Sequence, residues 1–126
     1  MYSKNYEVND EHIDFQGVVD GLYFPFYMEW CRHSFMEEKV GVNLEEEAKR
    51  GNMYVLTEYN IKFKKPLKKE DNLHVTCELK KGERSSRFNF IQKILVNDKI
   101  HAEATFSATC VTNGKPHVPE KVKKLI

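Results

Sequence analysis

The hydrophobic period of this chain changes at Gly51, and that change constrains the fold more than any other feature. From about Leu22 to Val40 the apolar residues recur at helical spacing. Tyr23, Tyr27, Trp30 and Phe35, with Leu22, Phe26 and Cys31 beside them, take up more than half the circumference of the first turns. A helix apolar nearly all round is a buried one. Asp20 stands ahead of it as a cap, Pro25 is tolerated in a first turn, and Gly41 is placed to end it. A short helix from Leu44 to Arg50 follows. Beyond Gly51 the period is two. Met53 to Lys65 sets Tyr59, Ile61 and Phe63 against Asn60, Lys62 and Lys64, and stops at Pro66. Leu73–Lys80, Arg87–Val96 and Lys99–Thr112 read as further strands, joined by turns at Lys81-Gly82-Glu83 and Asn97-Asp98. Tyr6–Asp10 is a weaker first strand. After an Asn113-Gly114 turn, the tail reads as irregular with one last short turn.

One long buried helix and about five antiparallel strands make an α+β arrangement, with the sheet wrapped around the helix. No repeat, linker or low-complexity tract interrupts it, so 1–126 reads as a single domain. A lone helix leaves sheet edges uncovered, and pairing of edges into a homodimer is the expected remedy. The charge balance, 20 basic against 19 acidic residues, argues against a general nucleic-acid partner, so any basic site is local. Cys31, Cys77 and Cys110 are odd in number and widely spaced, which suits reduced packing thiols in the cytosol. His33, His74, His101 and His117 lack ligand spacing, so no metal is expected. No apolar run nears the ~20 residues a membrane span needs, and the N-terminus lacks a signal peptide's apolar stretch. A cytoplasmic protein is expected.

The densest cluster of chemically capable residues runs from His12 to Arg32: His12-Ile13-Asp14-Phe15-Gln16-Gly17-Val18-Val19-Asp20-Gly21, then Glu29 and Arg32 on the helix. A loop carboxylate ahead of a helix entrance suits acyl transfer from a thioester. The helix N-terminus offers unpaired N–H groups where the thioester oxygen becomes negative. Glycine lets the backbone approach the substrate. Asp14 then serves as nucleophile, through a mixed anhydride, or as base on water. Asp20 adds a second carboxylate nearby, besides being a helix cap. Glu29 and Arg32, three apart, are also spaced to pair with each other.

This stretch resembles the signature of the hotdog thioesterases of the 4-hydroxybenzoyl-CoA thioesterase superfamily. The matching positions are Asp14, Gly17, Val19, Phe24, Glu29 and Arg32. Tyr59-Asn60-Ile61-Lys62-Phe63-Lys64-Lys65-Pro66, Asp71-Asn72-Leu73, Gly82-Glu83-Arg84-Ser85-Ser86 and Asn113-Gly114-Lys115-Pro116 fit later segments. The resemblance implies a hotdog fold and hydrolysis of an acyl-CoA or acyl-carrier thioester by a homodimer or dimer of dimers. Coenzyme A enters as part of the substrate and no further cofactor is implied. It makes Asp14 the catalytic carboxylate and the Gly21 N–H the group that polarises the carbonyl. His12 lies beside Asp14 or shapes the loop, and Gly17, Asp20, Phe24 and Glu29 line the substrate site. Many relatives carry Tyr-His or Asn-Asn where this chain has Asp20-Gly21.

A second cluster, Lys80, Lys81, Arg84, Ser85, Ser86 and Arg87 around Gly82, combines four cations with two hydroxyls at a turn. It suits the phosphates of coenzyme A; a solvated hairpin turn is the plainer reading. Two rivals stand beside hydrolysis. One is a hotdog hydratase or dehydratase, which wants a His paired with a carboxylate and finds only His12. The other is a non-catalytic module that binds acyl thioesters.

Overall fold

The computed structural model describes residues 1–126. Its strands are β1 (Tyr2–Glu7), β2 (Asn52–Phe63), β3 (Asn72–Lys81), β4 (Phe88–Val96), β5 (Lys99–Thr112) and β6 (Lys115–His117). Its helices are α1 (Phe24–Phe35), α2 (Leu44–Lys49) and α3 (Glu120–Lys123). The main strands lie in the order β1-β3-β4-β5-β2, all pairs antiparallel, and β6 adds to β5. Burial along β4 alternates strictly, so Phe88, Phe90, Gln92, Ile94 and Val96 face inward and the residues between them face out. Tight turns join the strands. Asn97 and Asp98 adopt φ of 49° and 65°, and Asn113 and Gly114 adopt 51° and 76°, the left-handed pair that a two-residue hairpin requires.

Helix α1 packs against the inward face. Tyr27, Met28 and Cys31 are fully enclosed, and Phe24, Arg32 and Phe35 nearly so. They join Leu73, Val75, Phe88, Ile94, Ala102 and Phe106 in one core. Pro25 sits in the first turn. A π-helical turn, Met36–Val40, continues the helix to Gly41, whose φ of 79° ends it.

The structure differs from the sequence reading in four places. The first strand spans Tyr2–Glu7, because Asn9 caps a 3-10 turn at Asp10–His12 and ends the extended run early. The tail pairs Lys115–His117 with β5 where an irregular segment was expected, because the Asn113-Gly114 hairpin turns the chain straight back onto β5, and the expected last short turn is α3. The outer side of α1 is open: Leu22, Phe26 and Trp30 are 79%, 44% and 41% exposed, since a single sheet covers one side of a helix. Glu29 and Arg32 do not pair. Glu29 lies 3.8 Å from His33, while Arg32 turns inward to Gln92.

Candidate functional site

The segment from His12 to Asp20 folds back on itself as a small hairpin. Asp20 N–H donates to the His12 carbonyl at 2.9 Å, Ile13 bridges Val19, and Asp14 N–H donates to the Val18 carbonyl at 2.8 Å. Gly17, at φ 85°, makes the reversal and donates to the Asp14 carbonyl at 3.0 Å. The hairpin is tied to the body by Val19 N–H, which donates to the Leu67 carbonyl at 2.8 Å. Asp14 is therefore held on a stitched backbone and is half-buried. One carboxylate oxygen accepts the Gln16 N–H at 2.8 Å, and its second oxygen has no partner in the chain.

The chain leaves this hairpin directly into the helix entrance. Asp20 caps it, its carboxylate accepting the Leu22 N–H at 2.9 Å, and a 3-10 turn at Gly21–Tyr23 leads into α1. Asp20 is thus engaged as a cap through one of its carboxylate oxygens. The Gly21 N–H finds no acceptor within the chain, and Gly21 is exposed. Along the hairpin, where Asp14 faces Val18, Gly21 lies about 10 Å, three residue rises, from the level of Asp14. An added Cβ at Gly21 would stand 3.6 Å from the Phe63 ring, so β2 forms the near wall of the entrance. Phe24 is buried with its ring edge-to-face against Phe63 at 4.9 Å.

His12 does not reach toward Asp14 by any hydrogen bond. Its Nδ1 lies 2.7 Å from the Tyr27 hydroxyl, which also accepts the Asn9 N–H at 3.0 Å. With that acceptance made, the single Tyr27 O–H remains available for the contact with His12. Burial pushes the Tyr27 phenol up, so it stays protonated. The imidazole also stacks on Tyr23 at 4.1 Å. His12 is a brace between the hairpin and α1. Sequence reasoning missed its partner, because Tyr27 looked like one more core aromatic.

The second cluster lies elsewhere. Phe63 shares a row of the sheet with Ala102, Ile94 and Val75. Lys81 lies six residues along β3 from Val75, a displacement of about 20 Å. In one chain, the carboxylate and the basic turn occupy opposite ends of the sheet. At the turn, Lys81, Arg84, Ser85 and Arg87 line a depression shared with Lys123 of α3 and Ile126. Lys80 pairs with Glu78 at 3.5 Å, and the Ser86 carbonyl accepts the Thr109 hydroxyl. An added Cβ at Gly82 would meet the Arg87 backbone at 2.7 Å, so the turn needs glycine there.

A third feature was not singled out by sequence reasoning. Between the C-terminal half of α1 and the start of β2 lies a cavity of about 240 Å³, lined by Glu29, Arg32, Met36, Tyr54, Val55 and Phe90 among others. Its signal was present. Gln92 is the polar member of an inward-facing apolar row on β4, and Arg32 is a cation inside an apolar helical stretch.

Cys31, Cys77 and Cys110 are free and buried. No three His, Cys, Asp or Glu side chains are gathered as a metal site would need, and no helix is long and apolar enough to cross a membrane.

A family model described as the thioesterase-like superfamily matches residues 8–126. An acyl-acyl carrier protein thioesterase of Arabidopsis thaliana is 31% identical over 84 residues, which is 67% of this chain and 43% of that protein. The chain spans less than half the length of the curated relatives it matches. A solved structure from Aquifex aeolicus superposes with a TM-score of 0.88 at 25% identity, covering 99% of this chain and 98% of its own. A 1,4-dihydroxy-2-naphthoyl-CoA thioesterase from Synechocystis gives a TM-score of 0.88 at 19% identity, covering 99% and 94%. These likenesses identify the curled sheet around α1 as the hotdog fold.

Proposed function

Because the chain belongs to the thioesterase-like superfamily, we propose that it hydrolyses an acyl-CoA thioester, with Asp14 as the working carboxylate. The observation that carries the reading is the pairing, at one helix mouth, of a half-buried carboxylate with an oxygen to spare and an amide, Gly21 N–H, with no acceptor. A carbonyl oxygen set on that amide gains stabilisation as it becomes negative, helped by the positive end of α1. Asp14 then attacks the carbonyl carbon or takes a proton from an attacking water. A thiolate leaves without help, so no general acid is required. His12 holds the hairpin in register through Tyr27.

The functional unit of this reading is a homodimer joined along β2. The two sheet edges differ in the way that supports it. β1 is six residues long, and its Lys4 is paired with Glu38 at 3.4 Å. β2 is twelve residues long, and its inner-face Leu56, Tyr59 and Phe63 are 43%, 54% and 57% exposed. A long apolar edge invites a second copy, and a two-fold axis across β2 is the simplest closure. Antiparallel pairing brings the Tyr54 end of one β2 beside the Phe63 end of the other. The basic turn of one protomer then approaches the partner's helix mouth, and the 20 Å separation within a chain ceases to matter. Coenzyme A phosphates on Lys81 and Arg84 are consistent with that arrangement. Three reduced thiols fit a cytosolic setting, and residues 1–126 act as one domain.

The test is thiol release from a panel of short, long and aromatic acyl-CoAs by wild type and Asp14→Asn. Hydrolysis by wild type should fall about 10²–10⁴-fold in the variant, with an unchanged unfolding midpoint. Saturable binding with no thiol released from any member of the panel would make the protein a binding module instead. Hydration of enoyl-CoA would make it a lyase.

A further inference from the structure

Arg32 is the one charged side chain among the buried residues, 5% exposed, and no carboxylate pairs with it. Of its five N–H donors, one is engaged, with Gln92 Oε1 at 3.0 Å. Gln92 is itself fixed by donating to the Met28 carbonyl at 2.9 Å. The guanidinium lies over the Phe106 ring, 4.3 Å from its centroid. Burial lowers the Arg32 pKa, partly offset by the charge of Glu29, yet a guanidinium stays protonated in a protein. No fully enclosed side-chain nitrogen in the chain lacks a hydrogen-bond partner. The unused donors of Arg32 are therefore those that border the cavity it lines. A buried cation with no carboxylate in hydrogen-bonding contact, Glu29 acting on it only through its field, is a costly arrangement unless something completes it.

The cavity is large enough for an acyl group, since about 150 Å³ already takes a benzene ring and this one measures about 240 Å³. Its walls are mainly apolar, from Met36, Tyr54, Val55, Phe88 and Phe90, with Glu29 and His33 also lining it. Within one chain it lies about 16 Å, eleven residue rises, along the helix from Gly21. Across a two-fold at β2, the Tyr54–Leu56 end that lines it meets the partner's Phe63, the residue beside Gly21.

Resting on the hydrolase reading and its dimer, we propose that this cavity receives the far end of the acyl group bound at the partner's Asp14, and that Arg32 recognises an oxygen there. The preferred acyl groups carry a carbonyl or carboxylate oxygen at the distal end, and plain alkyl chains of equal length bind less well. Arg32 is in this sense a specificity-determining residue.

Binding is measured by calorimetry on the Asp14→Asn dimer, which separates recognition from turnover, with hexanoyl-CoA, 5-oxohexanoyl-CoA and adipoyl-CoA. At least one oxygenated thioester should bind 10-fold or more tightly than hexanoyl-CoA, and which one identifies carbonyl or carboxylate. Adding Arg32→Met should erase that ratio while leaving hexanoyl-CoA affinity within about threefold. Where Arg32→Met does not fold, Arg32→Lys, which keeps the charge and loses the planar fork, should reduce the ratio in the same direction. Equal affinities for all three thioesters, or a ratio that survives loss of Arg32, would overturn the proposal and reduce Arg32 to a core element. Absence of thiol release by wild type would remove the hydrolase reading without touching that ratio. Mixed dimers of Asp14→Asn and Arg32→Met protomers locate the site. About half of wild-type activity toward the preferred thioester means the two residues serve each other across the interface. Activity no higher than the mean of the two parent dimers means they do not, and the cross-protomer placement fails.

Discussion

The two ends of the sheet are built on different principles. At the Asp14 end, backbone does the positioning: a stitched hairpin, a capped helix mouth and an unpaired amide. At the other end, side chains do it: Lys81, Arg84 and Arg87 around a glycine turn, and Arg32 inside an apolar cavity. Reaction at a carbonyl needs donors fixed before the substrate arrives, which hydrogen-bonded backbone supplies. Holding a charged, flexible carrier needs reach and charge, which long cationic side chains supply. In the proposed reading the chain separates the two tasks by about 20 Å, and its exposed β2 edge is the element that can reunite them.

The largest expected effect comes from breaking that reunion. Leu56→Lys with Tyr59→Lys places four like charges about the proposed two-fold and should convert the dimer to monomer in light scattering. Hydrolysis should fall about 100-fold, because both ends remain intact but no site contains both; like charges brought together across an interface cost several kcal/mol. Ser3→Lys, on the short edge β1, should leave mass and rate unchanged. A monomer that keeps its rate would show that one chain completes its own site.

A smaller effect separates recognition from chemistry. Lys81→Ala with Arg84→Ala should raise KM for an acyl-CoA about 10-fold with kcat within about twofold, since the phosphate contacts are the same in ground and transition states. An unchanged KM would move the phosphates to another basic patch, such as Lys62 and Lys65 on and after β2.

How much of this was legible in the sequence depended on whether the cause was local. Period and turn chemistry are local, so the four long strands and the Asn97-Asp98 and Asn113-Gly114 turns were read within a residue or two, and the expected Leu22–Val40 helix covers α1 together with the π-helical turn that continues it to Gly41. The cap at Asp20 was legible for the same reason. The Tyr27–His12 brace and the Arg32–Gln92 contact join residues 15 and 60 positions apart, and no spacing rule connects such pairs. The irregular tail was a misreading of that kind, since β6 exists through its register with β5. Helix α1 looked buried all round because its outer aromatics Phe26 and Trp30 share the apolar signature of its inner ones. The sequence carries the same pattern whether one sheet or a second copy covers them.

The smallest effect to measure follows the β2 edge at a single thiol. Burial pushes the Cys31 thiol up to about 11, raises Cys77 further, and raises Cys110 as well. At pH 8 roughly one part in a thousand of a thiol like Cys31 is thiolate, and all three are shielded. Native wild type should therefore release almost no chromophore with a disulfide reagent, and three equivalents after unfolding. In the Leu56→Lys, Tyr59→Lys monomer the order should change. Cys110 pairs with Tyr54 on β2, whereas Cys31 donates from α1 to the Val75 carbonyl and Cys77 pairs with Gln92 and with Tyr2 of the far edge strand β1, both away from β2. Opening of the unpartnered edge exposes Cys110 first, giving one fast equivalent ahead of two slow ones. Equal rates for all three would mean that the edge does not open separately from the core, and that β2 is stable without a partner.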